Sequence, residues 1–430
     1  RAGASSSHHA PVFCPELASC IEPSSYLMSS LTNPGRRLLA RGIRALEGCE
    51  YKNPSGCGSC ELVTLSIMSS IPTQMQAVIV QGKSKAELQK VDTPQPGPGE
   101  ILVKVSHVAL NPTDWKHLDF FGVQGSTLGS DFVGTVVAKG QGADDVQQGD
   151  RVAGCVHGGW TKGVGAFAEY LVTNAKAVVV VPSWIDDEHA PNLGVGGVSA
   201  FFGLFQPKHL GLPEPAVPLK SLPPVDQKRK VLVWSGATSV GQYAVQYARA
   251  SGAYVITTGS PKNNDFLKSL GASEVFDYHD GQTPEKIASA HPDLTYAFDT
   301  YSENGSQEAC ARALSKEQPS KLVAILPLSP DLDKLNPKVK ATFLILYTVS
   351  GEETDMFGSK FSKEYCQEDL RYLIKVLSGK QGDYYKLFES GVVKPNRTSL
   401  LSGGLDHVLE GLDRLRKGQV SGEKLTYKIA

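Results

Sequence analysis

The chain is nearly without net charge. Its 43 Lys and Arg residues stand against 44 Asp and Glu, a formal charge of −1 at pH 7. That balance gives no reason to expect nucleic acid or an anionic membrane surface as partner. Long apolar runs are also lacking. No stretch approaches the ~20 residues a membrane helix needs, and the longest, residues 341–349, has the size of a core strand. Cysteine is scarce beyond residue 60, where only Cys155, Cys310 and Cys366 remain. Three dispersed cysteines exclude a disulfide scaffold and a four-cysteine zinc lobe there, and they suit a reducing, cytoplasmic setting.

The first 67 residues lack sustained helical or strand periodicity. They begin at Arg1 and carry clusters of Ser, Pro and Cys. This composition reads as a disordered extension or an upstream translation artefact, with Met68 or Met75 a natural start. Residues 29–44 are basic, Ser-containing and free of acid, which gives a mitochondrial presequence as the alternative. Cys57-Gly-Ser-Cys60 has no second Cys or His pair at metal spacing, so chance outweighs a redox or zinc motif.

What is present is an ordinary globular composition, 41% hydrophobic and 20% charged, in a length that allows two cores. From Gln76 the pattern is β. Runs at 77–80, 101–108, 130–138, 150–154, 166–172 and 177–181 are separated by Gly and Pro, which predicts a barrel-like β domain. Residues 198–206 read as helix, and 207–230 as a Pro-rich loop with a charged end. From Val231 strands and helices alternate, with the run closing at a strand over 321–327. Such alternation predicts a doubly wound parallel sheet. Helices follow near 365–378 and 404–417, then a last strand over 424–428. The fold class is therefore α/β, a β-rich catalytic domain over 68–195 and 346–430 with a Rossmann domain over 196–345.

The opening turn of that second domain lacks one glycine of the usual three. It reads Trp234-Ser-Gly-Ala-Thr-Ser-Val-Gly241. Small residues let a backbone approach a pyrophosphate, and the helix N-terminus adds free N–H groups. Gly236, Ala237, Thr238, Ser239, Val240 and Gly241 are the candidates, with two hydroxyls able to donate to phosphate. An acid is also missing at the end of the second strand. Where NAD sites carry Asp or Glu for the ribose 2′-OH, this chain has Thr258, Ser260, Pro261, Lys262 and Asn263. A carboxylate would repel a 2′-phosphate, whereas these groups suit one. Pro261 fits a first helical turn with Ser260 as its cap. NADPH is the cofactor this pattern favours.

The order of motifs carries a resemblance. Asn111-Pro-Thr-Asp-Trp-Lys116 is followed by Leu128-Gly-Ser-Asp-Phe-Val-Gly-Thr-Val136, Gly149-Asp-Arg-Val152 and Gly165-Ala-Phe-Ala-Glu-Tyr170, then by the nucleotide domain. Residues 75–430 resemble the medium-chain dehydrogenase/reductase superfamily, with its GroES-like and Rossmann domains. Thr258–Asn263, Glu274-Val-Phe-Asp-Tyr278 and Ser421-Gly-Glu-Lys-Leu425 are most like the fungal trans-acting enoyl reductases of polyketide pathways. The resemblance implies that Thr113, Asp114, Trp115 and Lys116 line the nicotinamide pocket. It places Ser199 near the cofactor, Tyr278 on the adenine side, Leu326 and Pro327 near the nicotinamide, and Ser421 and Lys424 in approach to the cofactor. Lys116 is the catalytic candidate, for charge stabilisation or proton supply; a solvated surface lysine is the alternative. Trp115 also suits packing, as does Trp234, and Asp299 suits loop organisation.

The alcohol dehydrogenase branch of that superfamily holds a zinc ion with Cys and His. Here the first motif has no Cys, and Ser130 stands where that branch has His. Cys155 and His157 lack a third ligand and read as structural. The resemblance therefore implies a zinc-independent, NADPH-dependent reductase of activated C=C bonds, with hydride to Cβ and a proton to Cα. A quinone or enone reductase is the first alternative. A non-catalytic NADPH-binding protein is the second. A small-molecule or carrier-bound acyl substrate, a polyketide synthase partner, and a monomeric or homodimeric state complete the expectation.

Overall fold

Alternating apolar residues build the first lobe. β1 (Gln74–Gly82) pairs antiparallel with β2 (Lys85–Asp92). β3 (Glu100–Ala109) buries apolar side chains on both faces, as a central strand must. The chain then turns into the short α1 (Pro112–Lys116), with Pro112 in the first turn, where a missing N–H is harmless. β4 (Asp131–Lys139), β5 (Arg151–Cys155), β6 (Tyr170–Asn174) and β7 (Val178–Val180) continue the lobe. α2 (Val195–Phe205) is apolar all round and buried along nearly its whole length. The computed structural model describes residues 71–429 apart from residue 357. The presequence-like stretch at 29–44 and the Cys57–Cys60 pair lie outside the described residues.

The second lobe is a parallel sheet. Its strands are β8 (Asp226–Trp234), β9 (Ala253–Gly259), β10 (Glu274–Asp277), β11 (Tyr296–Asp299), β12 (Ser320–Ala324) and β13 (Val339–Phe343). Their spatial order is β10-β9-β8-β11-β12-β13, and every pairing is parallel. Counted from β8, this is the 3-2-1-4-5-6 order of dinucleotide-binding sheets, with the switch point between β8 and β11. The crossovers run through α3 (Ser239–Ala250), α4 (Asn264–Ser269), α5 (Thr283–Ala290), α6 (Ser306–Ala313) and α7 (Leu332–Leu335).

The sheet extends one strand beyond the sequence expectation. β12 ends at Ala324, where the Ile325 N–H leaves the ladder for Ser302 Oγ at 2.9 Å. β13 then closes the sheet, and the apolar run 341–349 divides between it and a 3-10 turn, Leu346–Ser350. The charged end of the expected loop, residues 226–230, belongs to β8.

The C-terminal segment returns to both lobes. β14 (Thr354–Met356) and β15 (Ser359–Phe361) form a small hairpin, followed by α8 (Lys363–Leu377) and α9 (Asp383–Phe388). β16 (Thr398–Leu401), α10 (Val408–Arg416) and β17 (Lys424–Lys428) follow, and β17 pairs with β3. One sheet therefore runs β16-β17-β3-β4-β5-β7, with β6 also on β3. A shared apolar core joins Val179 of β7, Phe201 of α2, Val233 of β8, Tyr247 of α3 and Phe388 of α9. Residues 69–430 accordingly form one compact unit.

α2 lies close on β11. A Cβ at Gly203 would stand 2.4 Å from the Phe298 ring. We expect Gly203→Ala to lower unfolding free energy by about 1–3 kcal/mol through overpacking, measured as a shift in the urea midpoint.

Candidate active site

A cleft of about 230 Å³ lies where the two lobes meet. One wall is the start of α1 and its cap, Asn111 to His117. The other is made by the N-terminal ends of α2 and α3 and by the loops leaving β11, β12 and β13. The cleft thus opens at the carboxyl ends of the parallel strands, beside the switch point, where ligands of such sheets bind.

The turn after β8 explains how two glycines suffice. Ser235 adopts φ 65°, a left-handed conformation uncommon outside glycine. Its N–H is held by Thr258 Oγ1 at 2.8 Å, and the Gly236 N–H by the Thr258 carbonyl at 2.9 Å. A Cβ at Gly241 would stand 2.4 Å from the Ser235 carbonyl, so α3 can cross the turn only with glycine there. Thr238 takes the place of the missing glycine and caps α3. Its Oγ1 accepts the Gly241 N–H at 2.9 Å and lies 2.9 Å from Thr300 Oγ1. The Ser239 hydroxyl accepts from Asn396 Nδ2 at 2.9 Å.

The end of β9 differs from expectation in two details. Thr258 is fully buried and braces the turn from beneath. The Ser260 side chain caps no backbone N–H; it accepts from Asn263 Nδ2 at 3.2 Å instead. Pro261 does open a helical turn, as predicted. Gly422, next to Ser421, approaches Asn263, so the C-terminal motif does reach this edge.

Beneath the cleft sits a buried ionic network. Asp131 is fully buried and pairs with Lys424 Nζ at 3.0 Å. Its carboxylate also accepts Asn111 Nδ2 at 2.9 Å and the Val195 N–H at 2.6 Å. Lys424 donates in addition to Asn111 Oδ1. Lys424 is therefore committed beneath the floor and is not among the residues that line the cleft. Asp114 is likewise buried. Its carboxylate accepts from Ser130 Oγ at 2.6 Å and from the Asn111 N–H at 2.8 Å, and desolvation raises its pKa to about 7.

Three pairs of side chains meet at the cleft wall. Lys116 pairs with Glu303 of the opposite lobe at 2.6 Å. Thr113 Oγ1 is 2.5 Å from the Tyr347 hydroxyl. His117 Nδ1 is 2.9 Å from the Thr113 carbonyl, so that nitrogen carries the proton. Its Nε2 then accepts from His157 Nε2 at 2.9 Å. Burial lowers both imidazole pKa values, that of His157 to about 2, and keeps the pair neutral.

Of the residues named from sequence, Thr113, Lys116, Ser199, Thr238, Ser239, Val240 and Leu326 line the cleft. Gly236, Ala237 and Gly241 form its supporting turn. Trp115 packs against the core of the first lobe. Tyr278 is exposed and packs on His279, while Lys262 and Pro327 lie outside the cleft lining. Sequence reasoning missed His117, Thr300, Tyr301, Glu303 and Tyr347. Only His117, one residue past the first motif, stood where a local signal could have shown it. Asp299 organises its loop as expected, accepting the Tyr301 and Ser302 N–H groups and the Ser306 hydroxyl.

The two-lobed arrangement, a β-rich lobe closed against a Rossmann sheet, is that of nicotinamide-dependent oxidoreductases. Residues 97–183 match the alcohol dehydrogenase GroES-like domain, and residues 239–377 match the zinc-binding dehydrogenase family. The chain is 34% identical over 375 residues to a trans-enoyl reductase, thnE of Trichoderma harzianum, across 84% of this chain and 98% of that protein. Two solved structures share the fold. The CurK enoyl reductase has a TM-score of 0.61 at 19% identity, covering 83% of this chain and 100% of that one. A mycobacterial protein complexed with NADPH has a TM-score of 0.58 at 22% identity, covering 82% and 99%. The chain belongs to the medium-chain dehydrogenase/reductase superfamily and within it is similar to the fungal trans-enoyl reductases.

The name of the second matched family raises the question of zinc. Among the described residues, no three His, Cys, Asp or Glu side chains are grouped to hold a metal ion. At the cleft, Ser130 is bonded to Asp114, and His157 to His117. Burial also pushes the Cys155 thiol far up, away from the thiolate a metal needs. These donors do not fit a catalytic zinc. A dinucleotide fits better: the turn after β8 is tight, α3 opens beside the cleft, and Thr238 leaves the first N–H groups of α3 unpaired by its cap.

Two outcomes test this electrostatic reading. Asp114 holds a proton in the fold above its ordinary pKa of 3.8, so its share of stability is present at low pH and falls as pH rises from about 4 to about 7. Asp114→Asn mimics the protonated form. It should match the unaltered chain near pH 4 and exceed it near pH 8 by on the order of 3–4 kcal/mol, read from denaturant unfolding at each pH. Lys424→Met leaves Asp131 buried and unpaired, and should cost about 3–5 kcal/mol in the same assay, with partial recovery on adding Asp131→Asn.

Proposed function

We propose that this chain is an NADPH-dependent reductase of activated C=C bonds, with enoyl thioesters as its substrate class. The observation that carries the reading is the cleft itself. It joins the N-terminus of α3 to the Thr113–Lys116 segment of the other lobe, without a metal donor set between them. The similarity to trans-enoyl reductases supports the same chemistry. For the cofactor, Ser260, Lys262 and Asn263 stand at the end of β9 with no carboxylate among them, which suits a 2′-phosphate.

A bound NADPH would supply hydride to Cβ of the substrate. The residues of this chain then have three tasks. The turn from Ser235 to Gly241 and the start of α3 hold the pyrophosphate. Ser199, Leu326 and the apolar segment after β13 form the walls that exclude water from the reacting carbons. Lys116 carries the positive charge nearest the cleft mouth and stabilises the oxygen of the developing enolate, moving from Glu303 to the substrate as it enters. The resemblance to trans-acting enzymes extends the proposal to an acyl group delivered on a carrier by a polyketide synthase partner.

The test is NADPH oxidation by the full chain against a short enoyl thioester and a quinone, with a saturated alcohol and NADP⁺ run in reverse. Turnover of the thioester is expected, with NADPH bound at least about tenfold more tightly than NADH. Lys262→Ala should erase most of that preference without changing NADH affinity. Turnover of the quinone alone would favour a quinone oxidoreductase. Equal binding of NADH would overturn the cofactor assignment.

A further inference from the structure

We propose that Tyr347 is the acid that protonates Cα, with the Thr113 hydroxyl as its positioning partner; this rests on the enoyl reductase reading above. Tyr347 lines the cleft from the segment that leaves β13. Its ring stacks on His157, with centroids 3.7 Å apart at 13°, and His117 meets it edge-on at 5.0 Å. His157 also stacks on Trp160 at 5.3 Å. The backbone beside it is anchored as firmly. Thr348 Oγ1 donates to Asp369 at 2.6 Å and lies 2.8 Å from the Ile345 carbonyl. Asp369 is held in turn by Gln206 at 2.6 Å and Lys208 at 2.5 Å.

The other ionisable groups at the cleft have partners of their own, the exposed Tyr301 hydroxyl accepting from Asn304 Nδ2 at 2.9 Å. Lys116 is paired with Glu303. The two imidazoles hydrogen-bond each other, and burial keeps them neutral. Asp114 points to Ser130 and the Asn111 N–H. The phenol's one hydrogen-bond partner in the cleft is the neutral Thr113 hydroxyl, and the nearby Asp114 carboxyl acts with burial to keep the phenol protonated. Burial raises its pKa, so it stays protonated across the neutral range, while the Thr113 and Ser130 hydroxyls act to favour its anion. Because His117 donates to the Thr113 carbonyl, the Thr113 O–H is left to donate to the phenol oxygen as charge develops there.

The step balances. Hydride brings an electron pair to Cβ, and the π pair of the C=C bond passes into the enolate. The enolate then forms a Cα–H bond with the phenol proton. The phenol O–H bond breaks, and its electron pair remains on the oxygen that Thr113 holds. Solvent returns the proton once product has left the cleft.

The experiment uses the full chain, NADPH and a 2-methyl-2-enoyl thioester, with the product's Cα configuration read by chiral chromatography. The unaltered chain should give one configuration. Tyr347→Phe should lower kcat about 100-fold and give a mixture of configurations. Its NADPH affinity, measured by fluorescence, should stay within about twofold. Thr113→Val should lose about tenfold in kcat and Thr113→Ser should restore it. A Phe variant with near-normal kcat and a single configuration would overturn Tyr347 alone. So would lost NADPH binding with the configuration unchanged, which marks a structural role. No alkene turnover by the unaltered chain would overturn the enoyl reductase reading and this assignment with it.

Discussion

The fully buried carboxylate of Asp131 is the constraint on which the cleft depends. It gathers the Lys424 ammonium, the Asn111 amide and the Val195 N–H within 3.0 Å. Those partners come from the last strand, the cap of α1 and the start of α2. Far-apart stretches of sequence are thereby fixed at one point beneath the cleft. Such a pair adds little stability over an apolar substitute, since desolvation offsets the attraction. Its effect is geometric. Each partner has one place to go, because the alternative is a charge without company in the core. The start of α2 is held in register with α1, and Ser199 and Thr113 come to opposite sides of one cleft.

The nucleotide turn meets its requirement by other means than the common three glycines. Glycine is indispensable where another backbone passes, and Gly241 is that position, directly over the Ser235 carbonyl. At the missing glycine the demand is weaker, and Thr238 adds a cap for α3. The strain at Ser235 is absorbed by Thr258, which holds the turn through its side chain and its carbonyl. An incomplete fingerprint thus specifies a complete turn, because hydrogen bonds from the neighbouring strand replace conformational freedom.

The parallel sheet was legible in the sequence because its signal is local. Each strand and helix carries its own period, and alternation dictates the topology. The final strand, β13, escaped because its apolar run continues without a break into the 3-10 turn that follows. Asp299 was legible too, since a carboxylate at a strand end serves the next few N–H groups. Lys424 and Tyr347 were not. Lys424 lies in a short strand whose partner, β3, is more than 300 residues away. Nothing near it in sequence shows that it will face Asp131. Tyr347 read as one aromatic in an apolar run, and only the closure of the second lobe on α1 brings it to Thr113. Long-range closure decides which polar groups meet, and periodicity carries no record of that.

The cleft separates its charged group from its uncharged ones. Lys116 and Glu303 meet at the contact between lobes, partly exposed. Thr113, Tyr347 and His117 form the inner wall with His157 stacked on Tyr347, and burial favours the neutral form of each ionisable member. A reaction that creates an anion and then consumes a proton needs both kinds of group but gains nothing from mixing them. A cation beside the proton donor would favour the donor's anion early, before hydride transfer has made a base. A neutral donor in an apolar wall holds its proton until the enolate exists. In the proposed reaction, the Lys116 charge at the mouth serves the substrate oxygen. On the proposed reading, the division between a buried neutral wall and a partly exposed ion pair assigns the two half-steps to separate groups within one cleft.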